Sequence, residues 1–190
     1  RSPHAHARIK RIDFTRALAH PGVVAVLEGS ELPTRYGVIP WTPDEQALAA
    51  DKARFIGDEV AAVAAVDELT ALEASELVDV EYEVLPALVD PDAALAEKAN
   101  TIHDGSKHGN VSKHVALSFG DVDGALAKSA AVAKDRFFYA GSTHAAIEPH
   151  CAVAQYDAEG NLTVWSSTQI PHYVHRELSK VLGLDPARVR

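Results

Sequence analysis

The chain has 190 residues, 47% of them hydrophobic, and a formal net charge of −9; this is enough apolar material to bury a core in one or two compact domains, and too much for disorder. The negative charge repels phosphate backbones and the basic residues gather into no stripe, which argues against a nucleic-acid partner. Cys151 is the only cysteine, so an intrachain disulfide and an all-cysteine zinc or iron–sulfur site are excluded, and no apolar run is long enough to cross a bilayer; a cytoplasmic protein is the expectation.

Residues 8–14 alternate imperfectly, and after Pro21 and Gly22 the run VVAVL at 23–27 reads as a buried strand ended by Glu28 and Gly29. Residues 30–50, rich in proline and polar side chains, read as a surface loop with room for a short helix at 43–49. The apolar run at 60–66 fits a helix or a strand buried on both faces, and periodicity does not separate these. A strand is favoured because Asp67 is a good N-cap for a helix over 68–77, whose apolar face would carry Leu69 and Leu72.

From Val78 the period becomes two, with Val78, Val80, Tyr82 and Val84 on one side and Asp79, Glu81 and Glu83 on the other, the pattern of a half-buried strand with an acidic outer face. Residues 92–96 predict one short helical turn. Residues 103–120 show no period and read as a linker between two structural units. A short helix is predicted over 121–129 and a strand over 132–140. Residues 151–156 and 162–165 flank Asp157-Ala-Glu-Gly-Asn161 as a hairpin, and 172–182 predicts a helix stopped by Gly183.

Three groupings could carry chemistry. On a strand, His144, Glu148 and His150 would share one face, where two imidazoles and a carboxylate suit zinc or ferrous iron and could support hydrolysis. The competing reading is a carboxylate hydrogen-bonded to backbone amides at a strand end. His172 and His175 share a helix face and could grip a metal or simply pack beside the adjoining strand. Ser166, Ser167 and Thr168 invite a nucleophile, but no G-x-S-x-G elbow surrounds them, and the 11 glycines form no phosphate-cradling loop. Read this way, the residues describe a two-unit α/β protein with a polar corner of Glu148 and residues 166–169. No methionine occurs at position 1 or elsewhere, and an alternating pattern is just beginning at Arg190, so both ends are expected to be cut from a longer polypeptide.

Several blocks, in order, resemble the molybdenum-binding large subunit of the xanthine dehydrogenase and aldehyde oxidase family: RSPHAHARI, PGVVAVLEGSELP, DKARFIGDEVAAVAA and VEYEVLPALVDPDAAL, then HAAIEPHCAVAQYD and LTVWSSTQIPHYVHRELSKVLGLDPARVR. The resemblance implies an α/β (α+β) fold, with an amino-terminal hammerhead domain over residues 1–105 and the start of the molybdopterin-binding domain over 106–190. It also implies that Gln169, the amide of the Ser/Thr-Gln pair, hydrogen-bonds to an oxygen ligand of molybdenum, a role suited to a donor that stays neutral while the metal changes oxidation state. Glu148 would pin a strand end near the cofactor.

Within that family the run PHYVHRELSKVLGLDPARVR after GNLTVWSSTQ looks closest to the alpha subunit of 4-hydroxybenzoyl-CoA reductase. That likeness implies reductive dehydroxylation of an aromatic acyl-CoA, with a molybdenum–molybdopterin cofactor in its cytosine dinucleotide form. Iron–sulfur clusters and FAD would be held by partner subunits. The alternative is a molybdenum hydroxylase of the xanthine, aldehyde or carbon monoxide dehydrogenase type. A non-catalytic assembly module is the reading from another class. The family's glycine-rich cofactor loop, its active-site arginine and its base glutamate would lie beyond Arg190, so no catalytic residue is assigned here and these residues alone are expected to be inactive.

Overall fold

The computed structural model describes residues 1–37, 39 and 43–190; the part of the predicted surface loop at Val38 and residues 40–42 lies outside them. The first unit is built from β1 (Ala7–Asp13), α1 (Thr15–Leu18), β2 (Val23–Glu28), β3 (Lys52–Ala53), β4 (Ala61–Ala65), α2 (Glu68–Ser75), β5 (Asp79–Val84) and α3 (Pro91–Ala96). The strands form two sheets, one ordered β3-β1-β5 and the other β2-β4, with every pairing antiparallel. In the first, Ala7 faces both Ala53 and Val84; in the second, Val26 faces Val63.

The run at 60–66 is thus a strand, as its neighbour Asp67 indicated. The Asp67 side chain accepts from the Thr70 N–H at 2.8 Å and starts α2. Gly22, at φ +89°, turns the chain into β2 and lies against Val66 and Thr70. Most of the buried apolar residues here are small, Ala7, Ala17, Ala49, Ala53 and Ala74, alongside Val60 and Leu48, which lets elements approach closely.

Three expectations in this half need correction. Residues 43–49 form no helix: the Tyr36 and Glu45 backbones pair with each other at 3.0 and 2.9 Å, and that pairing holds Glu45 extended. Leu69 and Leu72 do not form the buried face of α2, being 67% and 58% exposed, whereas Ala74 is buried. The linker expected over 103–120 is not free at its start, since Asp104 meets Lys52 and the Asn110 side chain donates to the Ala94 carbonyl.

Beyond residue 111 come α4 (Val122–Lys128), β6 (Ala152–Tyr156), β7 (Leu162–Ser166) and α5 (Pro171–Leu182). Asp121 caps α4 by accepting from the Gly124 N–H at 2.9 Å. β6 and β7 form the hairpin that the alternation predicts, in register Ala152↔Ser166 to Tyr156↔Leu162. Residues 132–140 form no strand; among the described residues no strand pairs with their backbone, and Phe137, Phe138 and Tyr139 are exposed. A strand needs a partner for its backbone groups as well as a suitable sequence.

Candidate functional site

The hairpin and the start of α5 hold Ser166, Ser167, Thr168, Gln169, His172 and His175 of the residues singled out for chemistry. At the turn joining the strands, the Asp157 carboxylate accepts from the Asn161 backbone N–H at 2.7 Å and from its side-chain amide at 2.8 Å. The Asn161 side-chain bond, followed by its backbone bond, holds that carboxyl below the usual range. At the open end, the Ser167 hydroxyl accepts from the Cys151 N–H at 2.9 Å and donates to the Cys151 carbonyl at 3.2 Å, while the Ser167 N–H donates to the same carbonyl at 3.0 Å. This hydroxyl closes a hairpin, and among the described residues its only partners are the Cys151 backbone groups, not a base.

Thr168 Oγ1 accepts from the Ile170 N–H at 3.2 Å, and Pro171 opens α5 from a position where its missing N–H costs nothing. Between these fixed points stands Gln169, exposed in the bend that joins β7 to α5. Its neighbours are committed to shaping the bend, and among the described residues no hydrogen bond occupies its own amide.

α5 ends as Gly183 predicts, with φ +64° and the Leu184 N–H returning to the Ser179 carbonyl at 2.9 Å. The chain then runs back along β7. The Val164 N–H donates to the Arg190 carbonyl at 2.7 Å and the Arg190 N–H to the Leu162 carbonyl at 2.8 Å, so the alternation beginning at the chain's end becomes a parallel partner for the hairpin. Between this edge and α5 lies a cavity of about 270 Å³ whose lining includes Ser166, Thr168, His172, His175, Leu178 and Arg190. Gln169 stands beside that cavity without lining it. The contribution of Arg190 went unforeseen in the sequence; the only signal was its place in the alternation.

The metal readings fail on geometry. His144, Glu148 and His150 lie in irregular, exposed chain, so the strand that would have aligned them is absent. His175 is occupied by the Pro186 carbonyl at 3.0 Å, although His172 and His175 do reach the same cavity. No group of three histidine, cysteine, aspartate or glutamate side chains among the described residues could hold a metal ion. Glu148 is exposed, and among the described residues no hydrogen bond ties it to the start of β6 at Ala152.

Residues 1–86 match the model described as aldehyde oxidase and xanthine dehydrogenase, a/b hammerhead domain, and residues 102–190 match that of the molybdopterin cofactor-binding domain. The chain belongs to the xanthine dehydrogenase and aldehyde oxidase family.

Its full length is 40% identical to part of the nicotinate dehydrogenase large molybdopterin subunit of Eubacterium barkeri, covering 44% of that protein. It is 38% identical to part of the carbon monoxide dehydrogenase large chain of Afipia carboxidovorans, covering 25%. Among solved structures, quinoline 2-oxidoreductase from Pseudomonas putida 86 superposes with a TM-score of 0.83 at 31% identity, over the whole of this chain and 25% of that one. The chain therefore spans less than half the length of these relatives. Its family is one of molybdopterin oxidoreductases, and Gln169 falls within the cofactor-binding match. Among the described residues no helix is long and apolar enough to cross a membrane.

Proposed function

We propose that this chain serves in a molybdenum-cofactor oxidoreductase, with residues 1–105 forming its hammerhead unit and 106–190 contributing to the cofactor-binding unit. Gln169 is the residue that would face the cofactor. The observation that carries the reading is the state of its amide: exposed, unpaired among the described residues, and set on a bend whose flanking hydroxyls are already used. A neutral amide can donate to an oxygen on a metal without altering the site's charge, so the residue present fits the group. When bound, molybdopterin-held molybdenum supplies the redox chemistry; this chain's part is to hold one hydrogen-bond donor in a fixed place.

Catalysis then depends on polypeptide outside these residues, and isolated residues 1–190 should be inactive, because they supply one orienting donor and no group to enclose a substrate. Partner subunits carrying iron–sulfur clusters and FAD, a cytosine dinucleotide form of the pterin and a cytoplasmic setting belong to the same proposal.

For the substrate, a molybdenum hydroxylase resembling the nicotinate, carbon monoxide and xanthine dehydrogenases is the reading that the relatives support best, since those names recur at 34 to 40% identity. The second reading is a 4-hydroxybenzoyl-CoA reductase type of subunit acting on an aromatic acyl-CoA, on the sequence of α5 and the residues that follow it. Supplying the assembled enzyme with nicotinate, xanthine and 4-hydroxybenzoyl-CoA in turn separates these: turnover of the thioester alone would overturn the first reading.

The placement of Gln169 is tested by Gln169→Ala in the assembled complex. Turnover should fall about 10- to 100-fold, as it does when a group orienting a metal's ligands is removed, while molybdenum content and circular dichroism stay unchanged. Unaltered turnover would remove Gln169 from the site.

A further inference from the structure

The register of the hairpin makes Cys151 and Ser167 the next facing residues beyond Ala152↔Ser166. In an antiparallel ladder a hydrogen-bonded pair exchanges two bonds, each N–H reaching the carbonyl of the residue opposite. Here the backbone makes only half of that exchange: the Ser167 N–H donates to the Cys151 carbonyl at 3.0 Å. The returning Cys151 N–H goes to the Ser167 hydroxyl at 2.9 Å instead of the Ser167 carbonyl, and the hydroxyl donates in turn to the Cys151 carbonyl at 3.2 Å. A side chain thus stands in for a main-chain acceptor. The Ser167 carbonyl is released from the ladder and the chain turns at once, the Thr168 N–H reaching back to the Ser166 carbonyl at 2.9 Å. In the same register the following hydrogen-bonded pair would be Pro149 and Gln169, and a proline has no N–H to give. No ladder bond therefore fixes Gln169; its place is set by the residues just before it.

We infer that Ser167 is the positioning residue for Gln169: by offering its hydroxyl in place of its carbonyl, it ends the ladder where the amide must leave the sheet. This rests on the reading of Gln169 as the residue that faces the cofactor. Ser167 is half-buried while Gln169 is exposed, so the clasp and the group it presents are distinct. Without the hydroxyl, the Cys151 N–H would take the Ser167 carbonyl, completing the pair and drawing residues 167 and 168 into extended backbone. The amide at 169 would be carried out of its bend. Threonine keeps the hydroxyl and is at home beside a strand, so it preserves the clasp.

Two measurements test this. In the 190-residue chain, three-bond HN–Hα couplings report φ at positions 167 to 169; they should move toward extended values in Ser167→Ala and keep their parental values in Ser167→Thr. In the assembled enzyme, assayed with whichever of nicotinate, xanthine and 4-hydroxybenzoyl-CoA it turns over, Ser167→Ala should lower kcat about tenfold, the lower end of what losing an orienting group costs. KM and molybdenum content should stay unchanged, and Ser167→Thr should recover the rate. Adding Ser167→Ala to Gln169→Ala should cost nothing further, because a residue that acts through the amide has no effect once the amide is gone. Unchanged couplings in Ser167→Ala, or a further loss in the double variant, overturn the inference. Unaltered turnover in Gln169→Ala, with couplings that move in Ser167→Ala, overturns the cofactor reading and supports the clasp. If circular dichroism shows Ser167→Ala misfolded, Ser167→Cys, which keeps the shape with a weaker acceptor, is read by the same outcomes.

Discussion

Gly29 stands at the end of β2, where the chain passes close beneath residues 48–50, and replacing it with alanine measures how tightly that crossing is packed. A Cβ there would lie 2.5 Å from the Leu48 carbonyl oxygen and 2.7 Å from both the nitrogen and the Cα of Ala50. All three are backbone atoms, so no rotamer change relieves the clash. Nor can the 48–50 segment retreat freely: the Ala49 N–H donates to the Glu59 carbonyl at 2.6 Å and the Asp51 carbonyl accepts from the Ile9 N–H at 2.9 Å. Overpacking costs about 1–3 kcal/mol, and immovable neighbours put Gly29→Ala near the upper end, about 3 kcal/mol. For a chain of this size that lowers Tm by about 6–12 °C. Gly57→Ala is the control. Gly57 has φ +92°, but a methyl group there would meet nothing within 4 Å, so its replacement should cost only about 1–2 kcal/mol of backbone strain. Urea and thermal unfolding followed by circular dichroism measure both; a Gly29→Ala variant within about 0.5 kcal/mol of the parent, or one less damaged than Gly57→Ala, would refute the argument.

Gly183→Ala should fray the end of α5 at a cost of about 1 kcal/mol, because φ +64° there is a conformation that residues with a Cβ adopt reluctantly; amide exchange at Leu184, bonded to the Ser179 carbonyl, reads it directly. The hairpin turn should loosen in acid: since the Asn161 hydrogen bonds lower the Asp157 value from 3.8, their stabilisation is present above that unfolded value and lost as pH falls through the lower folded one. Nuclear magnetic resonance titration of the Asp157 carboxyl should show Asn161→Ala moving the value up toward the ordinary one, by the side-chain share alone because the backbone N–H at 161 still donates, and an unchanged titration would disprove the coupling.

What could be read from sequence and what could not divides along the range of the interactions. Asp67, Asp121 and Gly183 act on backbone groups within a few residues, so the helices they bound were legible from spacing alone, as was the hairpin around Asp157. Lys52 carried no such signal. A lysine beside an aspartate in a polar stretch reads as solvated, and only Thr101 and Asp104, brought back by the fold, make it an interior group. The opposite error arises at 132–140, where a good strand sequence has no partner among the described residues and leaves its aromatic rings exposed. The same distinction governs the candidate site. The three side chains of the His144, Glu148 and His150 reading needed a strand to align them, and the structure provides none. Gln169 was named by the family resemblance alone; the structure adds that it stands in a bend between β7 and α5, which Ser167 and Thr168 shape through bonds to Cys151 and Ile170. A short-range scaffold of this kind is set by its own residues, so the amide can be presented in place before the cofactor it would serve is bound.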